Sequence, residues 1–242
     1  MRSYCSLVFS GILAVVSMSC ALAAQAATAP STFETTYSAK LYGLNVTVNS
    51  RLSQLPNGNY EYFFNADSMV GKVIEKTEVS WDAKEQRIRP QHYIYQRKSV
   101  GKDRNDELMF DWAANKVTHV KSNQTQTLDA TKNFQDGLSY QIQLSQDLIA
   151  GKKQFDYLIT NGRKIKPYKF EIVGEEVLTT PLGDVKAVKV KRTRAKSDLV
   201  TYAWFAKDFQ YLLVRLQQEE NGSAYTIYIS KASLNGKAIE HF

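Results

Sequence analysis

Residues 44–68 read LNVTVNSRLSQLPNGNYEYFFNADS, and this stretch decides the fold. Val46 and Val48 alternate with Asn45, Thr47 and Asn49, and beyond Pro56-Asn57-Gly58-Asn59 a second alternation places Tyr60, Tyr62 and Phe64 on one face. Successive side chains of a strand project to opposite sides, so a period of two marks a strand with one buried face. A Pro-Asn-Gly-Asn segment between two such runs is a strong hairpin signal.

The same pattern extends outward in both directions. Phe33, Tyr37, Ala39 and Leu41 share one parity, against Glu34, Thr36, Ser38 and Lys40. Val73, Val79 and Trp81 continue it, followed by Leu108, Phe110 and Trp112. In the second half come Phe155, Tyr157 and Ile159, then Tyr168, Phe170 and Ile172, and further runs around Val185–Val190, Trp204, Val214 and Ile227. Gly43, Gly71, Gly101, Ala114-Asn115, Gly162, Gly183 and Asn221-Gly222 separate them. Short strands with close turns and no alternating helices imply sequential antiparallel neighbours. The expected fold is all-β: a single antiparallel meander of about 10–12 strands, curled into a strongly curved sheet or barrel because a flat open sheet leaves adhesive edges.

One segment breaks the period. From Gly137 to Ala150, Leu138, Ile142 and Ile149 fall on one helical stripe, flanked by Tyr140, Leu144 and Leu148. Asp136 is placed to cap the first turn, its carboxylate accepting from free N–H groups, and Gly151 to end the helix. So wide an apolar arc needs a partner surface, and the sheet interior supplies it, partly lined by aromatics.

The termini and composition set the context. Arg2, an apolar run over residues 6–22 and Ala24-Gln25-Ala26 form the pattern of an export signal with an A-x-A cleavage site. The expected organisation is a cleaved signal over 1–26, a short flexible leader over 27–31 and one β domain over 32–242. The mature chain then begins at Ala27 or slightly earlier. Cys20 follows Ser17-Met18-Ser19 rather than the leucine-led run of a lipoprotein signal. Both cysteines, Cys5 and Cys20, lie in the signal, which removes thiolate metal sites, cysteine nucleophiles and redox motifs from the mature protein. The net charge of +7 suits solubility or an anionic partner. Nucleic acid is not an expected partner outside the cytoplasm, and no stable membrane insertion is expected after signal cleavage.

No catalytic, cofactor-binding or metal-ligating set is assigned. His92, His119 and His241 are scattered and form no HxH or HExxH pattern, and neither GxSxG nor SxxK occurs. Glu75 and Glu78, three apart, face opposite sides of a strand, as do the adjacent pairs Glu175-Glu176 and Glu219-Glu220. Asp103, Asp106 and Glu107 crowd an expected turn. Lys186, Lys189, Lys191, Arg192, Arg194 and Lys196 form the densest basic run, with Lys189 and Lys191 on one face and Arg192 with Arg194 on the other. It reads either as a contact for phosphate or carboxylate groups or as a lysine-guarded edge strand, the second being favoured. The 14 tyrosines and 11 phenylalanines suit either a filled β core or an apolar cavity.

The order of segments resembles the domain of unknown function 3108 family of bacterial exported proteins. The carrying features are Phe33 to Gly43, Leu108-Met109-Phe110-Asp111 and Asp136-Gly137-Leu138-Ser139. They continue with Thr180-Pro181-Leu182-Gly183 ahead of Ala187 and Val188, and with Trp204-Phe205-Ala206-Lys207-Asp208 before Leu212-Leu213-Val214. Leu213 departs from the proline expected there. The resemblance implies an exported antiparallel β protein without an assigned catalytic site, Asp136 being a cap, Pro181 and Gly183 a turn, and Trp204 a core aromatic. The expected function is that of a periplasmic, non-catalytic envelope protein that binds a lipid, an amphipathic ligand or an envelope protein. The rival readings are an enzyme acting on cell-wall or surface glycan and a structural subunit of an envelope complex.

Overall fold

The computed structural model describes residues 28–41, 44–69, 71–99, 103–193, 199–220 and 223–242. The segment read as an export signal, the turns at Gly43, Gly101 and Asn221-Gly222, and Arg194 and Lys196 of the basic run lie outside the described residues.

The first half forms β1 (Phe33–Leu41), β2 (Leu44–Gln54), β3 (Tyr60–Ser68), β4 (Gly71–Asp82), β5 (Arg87–Ser99), β6 (Arg104–Asp111), β7 (Lys116–His119) and β8 (Gln124–Thr127). Then follow β9 (Phe134–Gln135), helix α1 (Tyr140–Ile149), β10 (Gln154–Thr160), β11 (Ile165–Thr180), β12 (Gly183–Thr193), β13 (Val200–Ala206), β14 (Leu212–Glu220), β15 (Ser223–Leu234) and β16 (Lys237–Ala238). The expected all-β, strongly curved antiparallel sheet with one packed helix is what the chain forms. Among the described residues twelve strands have seven or more residues; four of two to four residues, which are too short to show a period, bring the total there to sixteen.

The sheet is two meanders joined edge to edge. Its order is β8-β7-β6-β5-β4-β3-β2-β1-β15-β14-β13-β12-β11-β10-β9, so the first and last long strands pair with each other in its middle. All ladders are antiparallel except the short β9·β10 pair. The ladder does not close: β8 and β9 are its two ends. Side chains join them instead, Thr160 Oγ1 on β10 donating to Gln126 Oε1 on β8 at 2.8 Å. Gly162, at φ +74°, lets the β10–β11 turn approach β6 and β7; a Cβ there would stand 2.5 Å from Leu108 and 2.7 Å from His119.

The decisive hairpin forms as read. Leu55 N–H donates to Asn59 O at 2.8 Å and Gly58 N–H to Leu55 O at 2.9 Å, with Gly58 at φ +86°. Of the expected leader, residues 28–31 have no regular structure, and Pro30 is buried.

Helix α1 lies inside the curve. Asp136 Oδ1 accepts from the backbone N–H of both Leu138 and Ser139 at 2.7 Å, and Ser139 Oγ accepts from Asp136 N–H at 3.0 Å. This reciprocal pair closes the turn that launches the helix one residue later. At the other end Lys152 N–H reaches Asp147 O and Gly151 N–H reaches Leu148 O, both at 3.0 Å, with Gly151 at φ +73°. That is the Schellman pattern, which satisfies the last carbonyls. Ile142, Leu144 and Leu148 are buried as expected, whereas Ile149 is only half-buried.

Three apolar clusters make the core. The first joins β2–β7 with Leu128, Phe134, Leu138 and Ile142. The second joins Leu144 and Leu148 to Phe155, Tyr157, Phe170 and Phe205. The third surrounds Trp204, Val214 and Ile229. Tyr140 packs its ring on Phe170 and Tyr168, at centroid distances of 5.7 and 6.1 Å, so the helix does cover an interior lined in part by aromatics.

Candidate functional site

Strand register builds a polar wall at the N-terminal end of α1. Cross-strand pairing sets Phe64, Glu75, Tyr95 and Asp106 in one row over β3–β6. The next row on the same face is Tyr62, Thr77, Tyr93, Leu108 and His119, over β3–β7. Residues two apart on a strand share a face, so both rows look at the helix. Tyr93 Oη donates to Glu75 Oε2 at 2.6 Å and Thr77 Oγ1 donates to Asp136 Oδ2 at 2.6 Å. Gly137 makes the close fit: a Cβ there would stand 2.7 Å from Tyr93 Oη and 3.4 Å from Glu75 Oε2.

Burial pushes the Glu75 carboxyl up to about 7; the Tyr93 hydrogen bond and the Arg104 charge oppose that rise, and the Asp136 charge adds to it. Burial likewise raises Asp136, against the hydrogen bonds from Thr77 and the Ser139 and Leu138 amides. Tyr93 is raised by burial and by the charge of Glu75. For Glu75 the folded value lies above the ordinary 4.5, so folding favours the protonated form. Its contribution to stability is complete below pH 4.5 and is lost as the pH rises through about 7. Glu75→Gln should therefore gain about 1–3 kcal/mol on the wild type between pH 4.5 and 8. Urea unfolding at the two pH values measures it, and parallel pH profiles for the two proteins would rule the assignment out.

Beside this wall, where the two ends of the sheet meet, lies a cavity of about 260 Å³. Tyr93, Tyr95 and Tyr168 line it together with Arg104, Lys164 and Lys166. Arg104 lies 5.1 Å over the Tyr95 ring. Asp106 also faces the cavity, but its charge is taken up by Arg104 (2.5 Å), His119 Nε2 (3.0 Å) and Arg163 (3.7 Å). Burial alone would raise Asp106; the His119 and Arg104 hydrogen bonds outweigh it and hold the carboxyl below its ordinary value. Aromatic faces and donors thus dominate the lining, an arrangement suited to an anionic or polar group carried on an apolar body.

The histidines, scattered in sequence, find carboxylates in space. His92 meets Glu107 at 2.8 Å on the half-exposed surface. His119 is fully buried between Asp106 and Ser122, its Nδ1 lying 2.9 Å from Ser122 Oγ. Aspartate, histidine and serine in line resemble a nucleophilic triad. Here, however, Nδ1 also accepts the Ser122 backbone N–H at 3.2 Å, and His119 is the N-cap of the one-turn 3₁₀ helix Val120–Ser122. The Ser122 amide that could serve an oxyanion is spent on the histidine. The trio is a turn closure, not a hydrolytic site. His241 packs over Gly183.

Glu75 and Glu78 do face opposite ways, Glu78 accepting from Asn57 and Asn59 at 3.1 and 2.7 Å. Glu175 pairs with Lys207 at 2.9 Å while Glu176 accepts the Trp204 indole N–H, so that pair also splits. Asp106 and Glu107 sit within β6 and not in a turn, because their parity serves the ladder to β5. The basic run is not an edge: β12 lies between β11 and β13, with Lys189 over the Trp204 and Tyr202 rings and Arg192 turned to the other face. Sequence reasoning missed Tyr93, Gly137 and the buried Gln143 and Asp147. Gln143 Oε1 accepts Ile88 N–H at 2.6 Å, and Asp147 accepts from Tyr157 Oη at 2.7 Å. Among the described residues no group of three or more His, Cys, Asp and Glu side chains is placed to hold a metal ion, and no helix is long and apolar enough to cross a membrane.

The family described as protein of unknown function (DUF3108) matches over residues 61–230. No curated protein matches the sequence. Among solved structures, a β-barrel-like protein of domain of unknown function DUF1849 from Brucella abortus is similar, with a TM-score of 0.60 at 10% identity; the match covers 87% of this chain and 100% of that one. A candidate lipoprotein from Parabacteroides distasonis matches with a TM-score of 0.28 at 12% identity, over 87% of this chain and 95% of that one. The first likeness establishes a barrel-like fold.

Proposed function

The chain belongs to the DUF3108 family of proteins of unknown function, and from that premise we propose that it is an exported, non-catalytic periplasmic protein that holds an amphipathic ligand in its barrel. The observation that carries this reading is the 260 Å³ cavity, in which three tyrosines and three basic side chains surround one already neutralised acid. Pockets that bind small molecules combine an apolar wall with a few convergent polar groups. The export-type N-terminal sequence supports the location. A glycan hydrolase needs two carboxyls facing one sugar. Both Asp136 oxygens are occupied by the turn before α1 and by Thr77, which leaves Glu75 without a free carboxyl partner there.

The test is native mass spectrometry of protein purified from its own envelope under conditions that retain lipids. The expected result is a bound amphipathic species that is lost on combining Arg104→Gln with Lys166→Gln. A bare protein mass in both proteins would overturn the reading, as would a stoichiometric envelope protein bound in place of a small molecule.

A further inference from the structure

Arg192 is 9% exposed, and among the described residues no ion pair joins it to a carboxylate. Its guanidinium donates to Thr201 Oγ1 at 2.7 Å and lies 4.9 Å over the Tyr168 ring, while its Nε is sealed from solvent without an acceptor. A buried charge is costly unless an opposite charge offsets it, and among the described residues no carboxylate does so for Arg192. The molecule also contains a crease running along α1. Next to Arg192 and Thr201 a narrow void of about 20 Å³ is walled by Leu144, Phe205 and Leu213. A second void of about 40 Å³, by Tyr37, Ser145 and Tyr211, continues it beyond Gln141, Phe205 and Leu213, which border both. The β13·β14 register shifts between Trp204 and Phe205, opposite Leu213, so the strands are irregular where the crease is interrupted. Bulges of this kind gather beside binding sites, because they free a side chain to be re-aimed. The crease is therefore cationic at one end and mixed apolar and polar beyond it, and it follows α1 from Tyr140 to Gln146, about 10 Å of helix.

We propose that this crease is a second binding site, for an amphiphile with an oxyanion head and an unbranched alkyl tail. The head sits on Arg192 and Thr201, and the tail lies along α1 once Leu213 and Phe205 swing aside. The two voids share no lining residue with the tyrosine-lined cavity, so the site does not depend on it.

The experiment is titration calorimetry on the mature protein with decanoate, decyl phosphate, decanol, decyltrimethylammonium and inorganic sulfate. Decanoate and decyl phosphate should bind at least tenfold more tightly than decanol, and decyltrimethylammonium and sulfate should not bind measurably. The preference between the two anions tells a carboxylate head from a phosphate one. Arg192→Met should abolish the anion preference while leaving the melting temperature of the ligand-free protein equal or higher, because it removes an uncompensated buried charge. Leu213→Trp should block both anions with Arg192 intact. Equal affinity for decanol and decanoate, or an Arg192→Met protein that melts lower and binds decanoate unchanged, would overturn the proposal. A native ligand that survives Arg192→Met but not Arg104→Gln would leave the cavity reading standing and remove this one.

Discussion

Leu144→Ala is expected to lower the free energy of unfolding by about 2–5 kcal/mol, the range for a large-to-small change in a packed core. Leu144 is 2% exposed and joins Leu148, Phe155, Tyr157, Phe170 and Phe205 in one cluster. The void it already borders is only about 20 Å³, room for about one water, so the truncated side chain leaves a hole that its neighbours do not fill without moving. The helix is also held on its other sides: Gln143 is bonded to Ile88 N–H and Gln86 O, and Ser145 Oγ to Tyr211 O. These ties restrain α1 from sliding into the vacated space. Chemical unfolding monitored by tryptophan fluorescence measures the loss, which corresponds to a fall of roughly 4–20 °C in Tm for a chain of this size. A loss below 1 kcal/mol would mean that α1 is not clamped, and would count against close packing of Leu144 in its cluster.

The reach of the sequence can be judged from particular residues. Tyr60, Tyr62 and Phe64 announce a strand because period two is a local geometric consequence of the pleat. Asp136 announces a helix start for an equally local reason. Glu75 announces nothing: its neighbours in sequence are Ile74 and Lys76, and its burial arises from a row that also needs Phe64, Tyr95 and Asp106 from three other strands. His119 and Asp106, thirteen residues apart, meet because β6 and β7 pair in one register and no other. The basic run of β12 was legible as two faces, but its interior place in the sheet was not: that follows from ladders to both β11 and β13. Nothing local to Gln143 and Asp147 shows that Ile88 N–H and Tyr157 Oη will be their partners.

Asp136→Ala is expected to cost about 2–4 kcal/mol, and Asp136→Asn less than about 1 kcal/mol. Asp136 is fully buried, and its two oxygens accept from Thr77 Oγ1, Leu138 N–H and Ser139 N–H. Alanine removes the cap and leaves these donors sealed without acceptors, and the penalty for unsatisfied buried groups exceeds the net value of the bonds themselves. Asparagine keeps a carbonyl oxygen for the two amides and turns an N–H toward the Thr77 hydroxyl, which can accept as well as donate. It also removes an ionisable carboxyl from beside Glu75. Because the Asp136 charge is one cause of the rise at Glu75, the Asn variant should titrate Glu75 at lower pH than the wild type does. Stability at pH 7 for both variants, combined with a carboxyl-resolved NMR titration of the Asn protein, separates the two effects. Equal destabilisation by Ala and Asn would mean that the negative charge itself, rather than its accepting oxygens, holds the turn before α1. An unmoved Glu75 titration would show that the two carboxyls do not sense one another across Thr77 and Tyr93.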